Sequence, residues 1–463
     1  MMDEAWLLLR LMGMQHGPLR WLARLRGVRF MVGAVLAAMS FAFLPTAQLL
    51  ADESDLTAFG WRMKEAKGSR PLLVIWVRQP DDTPASEIER RKQYYEELFF
   101  GRPTHSQYPD ALRTLEPSLV QYFRDASSGK FTWRRAGFVG PLSAPVNGKG
   151  PADIARLAIA AAAADGHIDF RAFDANHDGI ISYEELAILV ISNVPNGQTN
   201  HFRGKGFPVP GQNVTFAGGD SVIGEGGTFA TTAHELFHTL GGIDLYGPWG
   251  GCYDMNRGLT LMAGTGGDHM PDSEWIASLD PWHKILVGWI EPRIIPIGMA
   301  GSAQLAAQHL AMSSEPVRKR PLLLYDPAKG KSEFFLLEYR TPYRLGYDQG
   351  VATSGLVIWH VLHAAGGMPT HLTSERPDCK GAFVQVVSMF VRGAPDWQQG
   401  ASRAYTSANG DIALKWMDGR DSGVRVRVAP HKPSDPVIDI SWTAGNTPSA
   451  LAPVPHGPIG GRS

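Results

Sequence analysis

The sequence predicts an α+β protein whose front half mixes helices with strands and whose back half is rich in strands. Three observations carry that expectation. The 463-residue chain is 44% apolar and 19% charged, a globular balance with length enough to bury a large core. Its 51 glycines and 33 prolines favour many turns over long helical bundles. Helix signals fall in the first half, whereas past residue 300 short β-rich runs alternate with turn residues. The net charge of −1 offers no electrostatic case for nucleic acid or an anionic membrane surface as a partner.

Residues 1–51 read as an export segment. Arg10, Arg20, Arg24, Arg26 and Arg29 precede an apolar run from Phe30 to Leu44, and small residues near Ala47 or Ala51 follow. A secretory signal fits this order. A membrane anchor is the alternative if Pro45, Thr46 and Gln48 are tolerated within a longer apolar stretch. Either way the bulk of the chain is expected outside the cytoplasm, secreted or periplasmic, and touches a membrane only through an uncleaved anchor. Cys252 and Cys379 allow one disulfide there, or two separate buried thiols.

Next, "PLLVIWVRQPDD" (71–82) is an apolar, β-branched run ending in turn residues, the expected first core strand. A charged helix is expected from Glu87 to Phe100. In "SLVQYFRDASSGKFTW" (118–133), Leu119, Val120, Tyr122 and Phe123 belong to a short helix that Ser-Ser-Gly stops before a strand. "PADIARLAIAAAAADG" makes a strong helix, with Asp153 in its first turn and Gly166 closing it. In the back half, strands are expected at "EFFLLEYR" (333–340), "SGLVIWHV" (354–361), "AFVQVVSMF" (382–390), "SGVRVRV" (422–428) and "VIDISW" (437–442). The Pro/Gly-rich residues 443–463 are expected to be a disordered tail.

"DANHDGIISYEE" (174–185) matches a twelve-residue calcium loop. Asp174, Asn176 and Asp178 offer hard oxygens, Gly179 the sharp turn, Ile180 its carbonyl, Ser182 a direct or water-mediated contact, and Glu185 both carboxylate oxygens. Ile181 is the apolar residue that ties the loop to the core. With no second hand to pair with, the loop implies a structural Ca2+ rather than a sensor. A solvated Asp/Asn/Gly turn is the plainer alternative.

"TTAHELFHTLGGIDLYG" (231–247) admits two readings. As an ordinary amphipathic helix it has Thr232 and Glu235 at capping-box spacing, an apolar stripe of Ala233, Leu236, Phe237 and Leu240, and a Gly-Gly stop. As a metal helix it has His234 and His238 one turn apart, able to reach one Zn2+ together. Glu235 stands beside them as the general base, and Gly241 turns the chain to bring Asp244 back as third ligand. Asp254 is the alternative third ligand. The capping-box reading explains neither histidine nor Asp244. "GEGGTF" (224–229), just ahead, either lines a substrate cleft or is a flexible linker.

The chain resembles the immune inhibitor A-like family of secreted zinc metallopeptidases. The resemblance runs in order through "PLLVIWVRQPDD", "YYEELFFG", "SLVQYFRDASSGKFTW", "DFRAFDANHDGIISYEELAILVIS", the histidine helix, "LTLMAGTGG", "LDPWHKILVGWIEP", "EFFLLEYR", "SGLVIWHV" and "DGRDSGVRVRV", about residues 70–442. It implies a zincin-type catalytic domain over 52–295, with a mixed sheet and the zinc helix beneath a cleft. A β-rich C-terminal part of the peptidase region follows over 296–442. It also implies a methionine-turn role for Met262. Thr260 departs from the acidic residue often found there, and the short stretch before the first strand argues against latency by a large pro-segment. Tyr246, Tyr253 and His360 are candidates for stabilising an oxyanion. The implied activity is zinc-dependent cleavage of protein or peptide substrates. A catalytically inactive zincin-like binding protein is the alternative.

Overall fold

A computed structural model describes residues 65–101, 118–164, 166–194, 206–242, 245, 259–262, 277–308, 320–330, 333–341, 348, 354–362, 384–386, 404–416 and 418–445. The export segment, both cysteines and residues 446–463 lie outside these residues. The expected tail does not begin at 443, because Thr443 donates its N–H to the Arg425 carbonyl at 3.0 Å and its hydroxyl to the Gly423 carbonyl at 3.1 Å. All described residues belong to one unit, Ala51–Ser463. Among them no helix is long and apolar enough to cross a membrane.

The front half is organised by β1 (Gly68–Arg78). After it come helices α1 (Ala85–Phe100) and α2 (Leu119–Ala126), strand β2 (Phe131–Ser143) and helix α3 (Pro151–Ala164). Strands β3 (Ile180–Ile181), β4 (Ala187–Ser192), β5 (Phe207–Pro208), β6 (Thr215–Phe216) and β7 (Gly219–Gly224) lead into α4 (Phe229–His238). The main sheet has the order β2-β1-β4-β7, and each of its pairs is parallel. Mixed pairing in this half is confined, among the described residues, to the small sheet β3-β6-β5, where β3 and β6 are parallel and β5 and β6 antiparallel. Parallel strands need crossovers that cover both faces, which is why β1 and β4 read as continuous apolar runs. Leu72, Val74 and Trp76 face α1, α2 and α4, while Leu73, Ile75 and Val77 face α3. The sheet changes winding direction between β1 and β4, so the two faces carry different helices.

The back half begins with α5 (Pro281–Leu286) and strands β8 (Arg293–Pro296), β9 (Gly301–Ala306), β10 (Leu322–Tyr325), β11 (Glu333–Arg340), β12 (Gly355–Leu362) and β13 (Val384–Val386). It ends with β14 (Ile412–Lys415), β15 (Asp421–Val428) and β16 (Val437–Trp442). A five-stranded sheet, β13-β12-β11-β10-β8, runs both ways, because β8 and β10 are parallel and its other pairs antiparallel. A second sheet has the order β14-β15-β16-β9. Phe334 and Leu336 of β11 join the core that contains α4, and Phe335, Leu337 and Tyr339 join the core between the two back sheets. With both faces covered, β11 is buried along its whole length. By contrast β16 alternates buried and exposed residues, as a strand with one wet face should. The molecule is thus a mixed α/β protein with several sheets and few helices.

One polar side chain in the front sheet has no sequence rationale. Asp220 on β7 is 1% exposed, and its Oδ1 has no hydrogen-bond partner among the described residues. Burial pushes its carboxyl up to about 7, although Arg156 pulls the other way. A raised carboxyl pKa means the folded state holds the proton more tightly than the unfolded state. The stabilising contribution is therefore complete below about pH 4 and lost as pH rises toward 7. Asp220→Asn, which cannot ionise, should gain on the wild type across that window, by at most about 1.4 kcal/mol per pH unit crossed. Urea unfolding at pH 5, 6 and 7 measures the gap, and a gap that does not widen with pH contradicts the assignment.

Candidate metal centre

Helix α4 starts one turn earlier than the spacing of Thr232 and Glu235 suggests. Thr228 is the N-cap, with its Oγ1 accepting from the Thr231 N–H at 3.1 Å. Thr232 lies inside the helix and donates its hydroxyl to the Thr228 carbonyl at 2.8 Å. The capping box is therefore absent, because Thr228 offers the same chemistry a turn sooner and lets Phe229 enter the core. The apolar stripe is as expected: Ala233, Leu236, Phe237 and Leu240 all pack into the front core. That stripe fixes the roll of the helix and leaves His234, Glu235 and His238 together on another face. From β7, Ser221 donates its hydroxyl to the Glu235 backbone carbonyl at 2.9 Å, fixing the helix on the sheet.

The two imidazoles are held in one tautomer. His234 Nδ1 lies 2.9 Å from the Leu261 carbonyl, and His238 Nδ1 lies 2.9 Å from the Gly242 carbonyl. A carbonyl only accepts, so each Nδ1 carries a hydrogen, and in the neutral ring each Nε2 presents a lone pair. The two Nε2 atoms stand 3.1 Å apart. Two lone pairs that close repel one another, and a cation between them removes the repulsion. Nitrogen donors about 2.0–2.1 Å from one zinc ion lie no more than about 4.2 Å apart, so the spacing fits. Glu235 places its Oε1 3.9 Å from His234 Nε2 and its Oε2 3.9 Å from His238 Nε2. His234, Glu235 and His238 form a buried group whose ligand atoms all lie within 4.8 Å of one another.

The end of α4 explains the Gly-Gly pair. Gly242 donates to the Phe237 carbonyl at 3.1 Å and Gly241 to the His238 carbonyl at 3.0 Å, a Schellman closure. Gly241 sits at φ +109°, where side chains are strained. A Cβ on Gly242 would lie 2.3 Å from Phe237 Cδ1. Gly242→Ala should therefore cost about 1–3 kcal/mol and displace the carbonyl that orients His238. Thermal unfolding and zinc affinity both read this change; an unaltered protein in both would show that the close approach is not required.

Beneath the histidines runs a short floor. Leu261 accepts from His234, and the Met262 carbonyl accepts the Leu245 N–H at 2.8 Å. Met262 itself is fully buried in the core, as a packing role for it requires. Thr260 donates its hydroxyl to Asp280 Oδ2 at 2.6 Å. Asp280 also caps α5 and contacts His283 Nδ1 at 2.7 Å. Burial alone would raise the Asp280 carboxyl, but His283 and Thr260 outweigh it and hold it down to about 2. The Asp-x-x-His spacing of "DPWH" was a readable N-cap signal for this pair.

Other sequence candidates are placed as follows. Asp244, Asp254, Tyr246 and Tyr253 lie outside the described residues. His360 is on β12, 2.9 Å from Glu333 Oε1 and stacked on Phe335 at 4.6 Å. Phe335 belongs to the core between the back sheets, on the opposite side of its sheet from α4, so His360 is a structural residue. "GEGGTF" is no flexible linker. Glu225 accepts from Trp76 Nε1 at 2.7 Å and Arg78 at 2.5 Å, pairs with Arg91, and takes the Tyr95 hydroxyl on its carbonyl at 2.8 Å.

In the calcium-type loop, Asp174 accepts from the N–H of Asp178 at 3.1 Å and of Gly179 at 2.9 Å. Asn176 Oδ1 accepts from Asp178 N–H at 3.0 Å, and Asp178 from Ile180 N–H at 2.8 Å. Glu185 reaches back to Ala175 at 2.9 Å and Ser182 at 2.8 Å. Ile181 is fully buried, and the pairing of β3 with β6 uses the carbonyls of Gly179 and Ile181 rather than that of Ile180.

No protein-family model matches the chain, and no curated protein matches it either. The chemistry available at the site is that of its own groups: two imidazole nitrogens 3.1 Å apart with a carboxylate beside them.

Proposed function

We propose that the chain is an exported zinc-dependent endopeptidase. The observation that carries this reading is the pair of Nε2 atoms 3.1 Å apart, each aimed by an Nδ1–H to a backbone carbonyl, with Glu235 equidistant from both. His234 and His238 would hold the zinc, with Asp244 assigned as third ligand on spacing. When bound, zinc supplies a Lewis acid and makes water more acidic. Glu235 accepts a proton from a water molecule beside it as the water oxygen adds to the peptide carbonyl carbon. The same carboxyl then returns the proton to the leaving nitrogen as the C–N bond breaks. The floor under His234 and the Schellman turn under His238 keep both donors oriented throughout.

The calcium-type loop enters this reading as a structural Ca2+ site held by Asp174, Asn176, Asp178, Ile180, Ser182 and Glu185. It lies directly before β4, the strand next to β7. Metal analysis of the purified protein should return zinc and calcium, and casein cleavage should stop with a chelator and resume with added zinc. Protein that holds zinc yet cleaves nothing would instead be a binding protein. Protein that holds no zinc would end the reading.

A further inference from the structure

We propose that Ser278 and the Arg340–Asp348 ion pair position His234, so that the β-rich half of the chain completes the metal centre. This rests on the zinc reading above. The connection can be followed atom by atom. His234 Nδ1 is 2.9 Å from the Leu261 carbonyl, and the Leu261 N–H donates to the Ser278 carbonyl at 3.3 Å. Ser278 in turn donates to Asp348 twice, from its N–H at 2.8 Å and its hydroxyl at 2.9 Å. Arg340, on β11, donates to Asp348 at 2.6 Å and to the Leu279 carbonyl at 2.9 Å. On the next residue upstream, the Ala277 carbonyl accepts the Tyr122 hydroxyl at 2.8 Å. Residues 277–279 are thus each tied by a buried side chain, and they underlie the strand of floor that orients the histidine.

Two features argue that position, rather than stability, is what this arrangement supplies. A buried ion pair contributes little or nothing to stability over an apolar pair of similar volume, but it fixes directions that an apolar pair leaves free. Asp348 also sits at φ +58°, a backbone region disfavoured for most side chains, while being 1% exposed. The strain is tolerated where the carboxylate meets Ser278 and Arg340 at once. Metal-bound histidines depend on such outer contacts, whose loss lowers metal affinity by about 10–100-fold.

The test uses the full chain carrying Ser278→Ala or Asp348→Asn. Zinc affinity is measured by competition with a chromophoric chelator, and ligand geometry by the visible spectrum of the cobalt-substituted protein. Both variants should bind zinc about tenfold more weakly, with altered cobalt bands. Tyr339→Phe, next to Arg340 on β11, is the control: it removes a hydroxyl bond of 2.8 Å to the Asp435 backbone carbonyl, and it should leave affinity and spectrum unchanged even where it lowers stability. Ser278→Ala keeps the backbone bond and is the variant that decides should Asp348→Asn not fold. Wild-type affinity and spectrum in folded Ser278→Ala would overturn the positioning role and leave the zinc reading intact. A wild-type protein that binds neither zinc nor cobalt would overturn both.

Discussion

Replacing Glu235 with Gln is expected to leave zinc bound and to lower peptide hydrolysis by about 10²–10⁴-fold, the usual contribution of a positioned general base. Gln has the same shape and keeps a hydrogen-bonding oxygen, but it cannot take a proton from water near neutral pH. The fold has little reason to change. Glu235 is anchored through its backbone carbonyl by Ser221, and its carboxylate stands 3.9 Å from each Nε2, outside hydrogen-bond range of both. Metal content and cleavage of a quenched fluorescent peptide should therefore separate cleanly. A variant that cleaves at the wild-type rate would remove Glu235 from the mechanism, whereas one that loses its zinc would make it a ligand.

Arg340→Met should be among the most destabilising single changes in the chain, by about 3–5 kcal/mol. Arg340 is fully buried, with Asp348 at 2.6 Å and Glu338 at 2.8 Å. Burial works against its charge, but the two carboxylates outweigh that and hold its pKa above the ordinary value. Without it, the remaining cation beside Asp348 and Glu338 among the described residues is Lys284, whose ammonium burial has already pulled down to about 8. Glu338 is itself raised by burial and relies on Arg340 and Lys284 to stay charged. Urea unfolding gives the loss. Adding Asp348→Asn to Arg340→Met should recover part of it, since the uncompensated carboxylate goes too. A loss below about 1 kcal/mol in the single variant would mean that the pair is not compensating buried charge.

Legibility followed burial geometry. Strands β11, β15 and β16 stood out as residues 333–340, 422–428 and 437–442 because an apolar run or a clean alternation marks them. Strand β7 did not, since glycines flank it and it carries Asp220 and Ser221. Its neighbours β4 and α4 make it a strand, and its own composition does not. The start of α4 was displaced by one turn for a similar reason. Thr228 and Thr232 are equivalent as caps in sequence, and the choice falls to the place that Phe229 finds in the core.

By itself the sequence determined the donor set: two histidines one helical turn apart with a glutamate between them, an apolar stripe to seat their helix, and glycines to end it. These are local properties, written at the period of a single helix. What only the tertiary structure decided is how the donors are aimed. The carbonyl of Leu261 and the ion pair of Arg340 with Asp348 come from segments far along the chain, and backbone acceptors leave no trace in residue identity. Folding brings them under His234, because a buried N–H must find a partner and the nearest one lies on another segment.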